Sequence, residues 1–106
     1  MGYRSEVVVK FSEKASEVVK HFYEMDKQIK EVIDAADTKC ADFSSIHWTF
    51  IKWYDSYPEI SEFMDMLDQL GDEHYGMIRL GEEYDDVEYY GDPPSFDMYV
   101  NRSIEW

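Results

Sequence analysis

The chain is predicted to fold as one α+β domain over residues 1–106, a two-layer sandwich with two amphipathic helices on one face of a four- or five-stranded sheet. Three features predict it. A strand-like alternation opens the chain, two stretches carry helical apolar spacing, and short β-rich runs separated by turn residues close it. With 106 residues and 44% apolar side chains, it has the length of one domain and the apolar content to fold it. The expected order is β-α-β-α-β-β-β.

The first strand spans 3–11, where Tyr3, Ser5, Val7, Val9 and Phe11 alternate with Arg4, Glu6, Val8 and Lys10. Ser12 is placed to cap a helix over 13–36. Its apolar stripe is Ala15, Val18, Val19, Phe22, Met25, Ile29, Val32, Ile33 and Ala36, and its outer face mixes Glu17, Lys20, Glu24, Lys27, Lys30 and Glu31. Residues 37–43 lack a period and read as a connection. The run over 45–54 has apolar residues on both faces, including Trp48, Phe50 and Trp53, as suits a strand inside the sheet.

A second helix over 57–70 follows. Ser56 and Glu59 have capping-box spacing, and Pro58 falls in the first turn, where its missing N–H is harmless. Ile60, Phe63, Met64, Leu67 and Leu70 form its buried stripe, and Gly71 ends it. Residues 75–80, 87–90 and 96–103 read as three short strands, turned at 81–86 and 91–94. Tyr89 and Tyr99 are expected half-buried in the sheet, and Trp106 packed on the domain.

The charge is lopsided. Asp and Glu number 24 against 10 Lys and Arg, a net of −14. Such a field repels nucleic acids and anionic membrane surfaces, which excludes both as direct partners. Residues 1–53 hold eight basic and nine acidic side chains, while 54–106 hold two basic ones, Arg79 and Arg102, and fifteen acidic ones, a net of −13. The outer face of the second helix bears Glu59, Glu62, Asp65, Asp68 and Asp72 with no base between them. Like charges at this spacing repel by about 0.2–0.5 kcal/mol each, so a helix built only for stability would interleave lysines. The turn adds Glu82, Glu83, Asp85, Asp86 and Glu88, with Tyr84, Tyr89, Tyr90 and Tyr99 nearby.

Chemistry of other kinds finds little support. The single cysteine, Cys40, excludes an internal disulfide framework, and His21, His47 and His74 lie far from it in sequence. No phosphate-binding glycine loop, G-x-S-x-G or H-E-x-x-H occurs, so no catalytic residue is assigned and the chain is not read as an enzyme. The carboxylates of 82–88 lack the alternating ligands and central glycine of a calcium loop, so neither metal nor cofactor is expected. No apolar run approaches 18 residues, and the N-terminus has no apolar signal core, which points to a soluble cytoplasmic protein.

Gly2-Tyr3-Arg4-Ser5-Glu6-Val7, Ile51-Lys52-Trp53-Tyr54 with Tyr57-Pro58, Ile78-Arg79-Leu80-Gly81-Glu82-Glu83 with Asp85-Asp86, and Tyr99-Val100-Asn101-Arg102-Ser103-Ile104 together resemble a group of small acidic bacteriophage and prophage proteins. The resemblance implies a phage-encoded protein acting in the bacterial cytoplasm. By analogy it favours an inhibitor of host nucleic-acid enzymes, of the anti-restriction or anti-CRISPR type. It carries no site residue over.

Two functions fit. In the first, Glu59, Glu62, Asp65, Asp68, Glu82, Glu83, Asp85, Asp86 and Glu88 imitate nucleic-acid phosphates and dock a basic nucleic-acid-binding surface of a host protein. In the second, the protein is a non-enzymatic accessory phage component, its acidity only keeps it soluble, and an apolar edge makes a homodimer. Self-repulsion at this charge should be screened by salt. The melting temperature is therefore expected to rise between low salt and about 0.3 M NaCl, where the Debye length falls below ~10 Å; a flat or falling trend in a thermal scan would show the acids already paired or well separated.

Overall fold

Three consecutive valines set the middle of the molecule: Val7, Val8 and Val9 are all fully buried, so the strand that carries them is covered on both faces. The computed structural model describes residues 2–101 and 104–106. Its main sheet is antiparallel, with β1 (Ser5–Phe11), β2 (Thr38–Lys39), β3 (Ser45–Ile51), β4 (Tyr75–Leu80) and β5 (Val87–Gly91) arranged in the order β2-β3-β1-β4-β5. On one face lie α1 (Glu13–Met25), α2 (Lys27–Asp34) and α3 (Pro58–Leu70). The fold is the α+β arrangement of helices on a sheet.

The helix expected over 13–36 is two helices. Asp26 ends α1 by donating its backbone N–H to the Phe22 carbonyl, and its side chain accepts from the N–H groups of Gln28 and Ile29 at the start of α2. An aspartate at such a point offers the backbone an N-cap in place of continued helix. The break turns Met25 out to 74% exposure, while Ile29, Val32 and Ile33 face the core. Ser12 caps α1 as expected, its Oγ accepting from Ala15 N–H at 3.2 Å. The Ser56–Glu59 capping box does not form: Tyr57 is the N-cap of α3, with no side-chain cap bond. Pro58 opens α3 and Gly71, at φ +90°, closes it. Met66 takes the buried position in α3, and Met64 and Leu70 are only half-buried.

Alternation along β1 sends Val7, Val9 and Phe11 into the helix-side core and Val8 to the opposite face. The helix-side core is aromatic at its centre. Trp48, Trp53 and Phe63 pack with ring centroids 5.1–5.8 Å apart, and the Trp48 indole N–H donates to the Val32 carbonyl at 2.9 Å, tying β3 to α2. β3 ends at Ile51, short of the expected 54, and Phe50 is 66% exposed beneath the Arg4 guanidinium.

The strand expected over 96–103 does not join the main sheet. Pro93 and Pro94 have no N–H to give a ladder, and Pro93–Phe96 form a 3-10 turn instead. After Asp97, at φ +58°, β6 (Tyr99–Val100) pairs with β7 (Ile104–Glu105) in a separate ribbon, leaving Tyr99 58% exposed. Arg102 and Ser103 of that expected strand lie outside the described residues. Met98 and Ile104 cover Val8 and Ile78, which explains why β1 is buried on both sides. Trp106 packs on the domain as expected, its ring 5.1 Å from that of His47.

Phe63 is fully buried between two tryptophans, so Phe63→Ala removes packing that no neighbour can replace. A loss of about 3–5 kcal/mol is expected in urea unfolding, against a few tenths for the exposed Met25→Ala.

Candidate acidic docking surface

Charge in the second half is organised around Arg79. Its position in β4 places it on the helix side of the sheet, beside Ser5 of β1 and opposite Glu88 of β5. The residue is 9% exposed, and every arm of the guanidinium is occupied. Nη1 donates to Ser5 Oγ at 2.8 Å, Nη2 to Asp86 Oδ1 at 2.6 Å and Nε to Glu88 Oε1 at 2.6 Å. Burial works against its charge, but the two carboxylates more than reverse that effect and hold the guanidinium protonated. Asp86 also accepts from Tyr3 Oη at 2.6 Å, so the N-terminal segment, β1, β4, β5 and the acidic turn meet at one point. The Arg79 and Tyr3 hydrogen bonds hold the Asp86 carboxyl below its ordinary range.

The nine acidic candidates therefore fall into distinct settings. Asp86 and Glu88 face Arg79 and are neutralised within the fold. Glu82 accepts the Arg4 backbone N–H at 2.5 Å. Glu59 is half-buried beside Arg4, Lys52 and Glu31 in a groove of mixed sign. Glu62, Asp65, Asp68, Glu83 and Asp85 are exposed. Tyr84, between the last two, is 99% exposed.

Along α3 the acids crowd rather than pair. The Glu62 carboxyl faces that of Asp26, the residue that breaks α1 from α2, and Asp65 lies close by. Sharing that contact, together with the charges of Asp26 and Asp65, raises the Glu62 carboxyl above its ordinary value. Asp68 and Asp72 reach the field of Tyr75, whose hydroxyl is raised chiefly by burial. The 3-10 turn Asp72–His74 then contacts β5. Burial, then Glu88 and Asp55, push Tyr90 up to about 12. Acidic groups thus follow one another from α3 through the 3-10 turn to β5 and its turn.

Tyr89, expected half-buried, is 60% exposed, because it lies on an edge strand beyond the cover of the C-terminal ribbon. Arg79 is the residue that sequence reasoning missed. A lone arginine amid acids was a signal, but its partners depend on β4–β5 register.

Elsewhere, His47 Nε2 meets Glu6 Oε2 at 2.8 Å, His74 lies 3.5 Å from Ser12 Oγ, and the Cys40 thiol lies 3.0 Å from Ser45 Oγ. Among the described residues no His, Cys, Asp or Glu cluster could hold a metal, and no helix is long and apolar enough to cross a membrane.

Two carboxyl groups give stability opposite pH dependences. Asp86 is held below 3.8, so its contribution is present above that value and is lost as pH falls through its folded-state pKa. Glu62 is held above 4.5, so its protonation relieves repulsion as pH falls through its raised value. Urea midpoints across pH should rise in mild acid and fall below 3.8. Glu62→Gln should remove the rise, and Asp86→Asn should shrink the fall. The same two limbs in both variants would contradict these assignments.

Comparison of the chain with protein-family models, with curated proteins and with solved structures finds no match.

Proposed function

We propose that this is a non-enzymatic binding protein whose acidic second half docks, and so blocks, the basic nucleic-acid-binding surface of a host protein. One observation carries this. Among the described residues beyond Trp53, Arg79 is the only Lys or Arg, and it is buried and engaged by Asp86 and Glu88. Among the described residues, the exposed acids of α3 and the turn therefore have no outward base from their own half. A nucleic-acid groove focuses positive field from its arginines and lysines, and such a surface is drawn to it at high rate. Tyr84 and Tyr89 add exposed, rigid aromatic area of the kind that anchors interfaces. The resemblance to small acidic phage and prophage proteins favours a bacterial nucleic-acid enzyme as the host partner.

Roles divide by setting. Glu62, Asp65, Asp68, Glu83 and Asp85 supply the outward charge. Asp86 and Glu88 hold the turn through Arg79, and Glu82 fixes it to the N-terminal segment.

The test is displacement of a fluorescent duplex from bacterial restriction and CRISPR effector complexes. Replacing Glu62, Asp65, Glu83 and Asp85 together by amides should weaken displacement by roughly 1–4 kcal/mol, at ~0.2–1 kcal/mol per exposed charge. Any one of these changes alone should be nearly silent. Changing Glu13, Glu17 and Glu24 on α1 should do little, since that face is mixed in sign. Unchanged displacement by the folded quadruple variant, loss in the α1 controls, or no displacement from any complex contradicts the proposal.

A further inference from the structure

The main sheet has two edges of unequal kind. β2 offers two residues, whereas β5 offers five, Val87–Gly91. The β4–β5 ladder is bracketed by Gly81 N–H to the Asp86 carbonyl at 2.8 Å and Asp92 N–H to the Tyr75 carbonyl at 2.9 Å. With Arg79 opposite Glu88 and Met77 opposite Tyr90, antiparallel alternation makes those the bonded pairs. Tyr89, opposite Ile78, therefore turns both its N–H and its C=O away from β4, toward an edge that no described strand pairs with. The Val87 carbonyl points the same way, while its N–H is folded back onto the Asp85 carbonyl at 3.1 Å.

Natural edges are usually guarded by lysine, proline or a bulge. Val87–Gly91 contains neither lysine nor proline, and its one charged side chain, Glu88, is drawn to the helix side by Arg79. Acids flank the edge: Glu83 and Asp85 on one side, Asp72 and Glu73 on the other, where the 3-10 turn meets β5.

We infer that the open edge of β5 accepts an extended basic segment of the partner as a sixth strand, paired through Tyr89. This rests on the docking function proposed above and specifies how the partner is held. Charge complementarity selects the occupant. A second copy of this chain would bring two acidic flanks together, whereas a strand bearing Lys or Arg would satisfy them.

Two synthetic nine-residue peptides of equal charge test it, one alternating lysine and valine, the other with a central proline pair. Calorimetry at low salt should show the alternating peptide binding about tenfold tighter, the worth of a few net ladder bonds. Its binding should slow hydrogen exchange at the Tyr89 amide. Tyr89→Pro removes the outward donor without touching a β4 bond, and should abolish the difference between peptides while leaving the charge-driven affinity. If that variant does not fold, Tyr89 exchange in the native protein still decides. Equal binding of both peptides with unchanged Tyr89 exchange overturns strand addition and leaves acidic docking standing. Binding of neither overturns both. Self-association that depends on Tyr89 would assign the edge to a second copy instead.

Discussion

Arg79 is the constraint on which the acidic half depends. Burying a guanidinium is costly unless its donors are met, and here Ser5, Asp86 and Glu88 meet them from β1, the turn and β5. The same contacts fix the turn. Two acids that would otherwise repel across it share one cation, and Asp86 gains the Tyr3 hydroxyl from the chain's beginning. Because the guanidinium is directed inward, it organises the acidic half without neutralising its surface. One buried charge thus gives the turn its shape, while Glu62, Asp65, Asp68, Glu83 and Asp85 remain exposed.

The core must support that surface. Self-repulsion on α3 is opposed by Ile60, Phe63, Met66 and Leu67 packed against the Trp48–Trp53 cluster. Glu62 against Asp26 is an unfavourable contact between like charges, which raises the Glu62 carboxyl. Proteins tend to retain such local conflicts where function asks for them. The second face of the sheet, closed by Met98 and Ile104, adds burial beyond that of the helix-side core.

Much of the fold was legible because its signals are local. Tyr75–Leu80 stands as a strand with the expected bounds, since turn residues delimit an apolar run on both sides. α3 was legible from its stripe and from Pro58 and Gly71. The break at Asp26 was not, because the apolar period continues across it and only a side-chain cap interrupts the backbone. The C-terminal ribbon was hidden for a related reason: Tyr99 and Val100 have strand character, but which sheet they join depends on Asp97 and the preceding prolines. Of the nine acidic candidates, sequence showed where charge accumulates. It could not separate Asp86 and Glu88 from the rest, because their partner is set by cross-strand register.

The proposed function requires a basic partner to meet the acidic half and not the mixed-sign face of α1. NMR chemical-shift mapping against a basic domain that the protein displaces from DNA tests it most directly. Shifts are expected along the outer face of α3, in residues 82–85 and at Tyr89, shrinking as salt is raised. Shifts concentrated on Glu13, Glu17, Lys20 and Glu24 instead would contradict it.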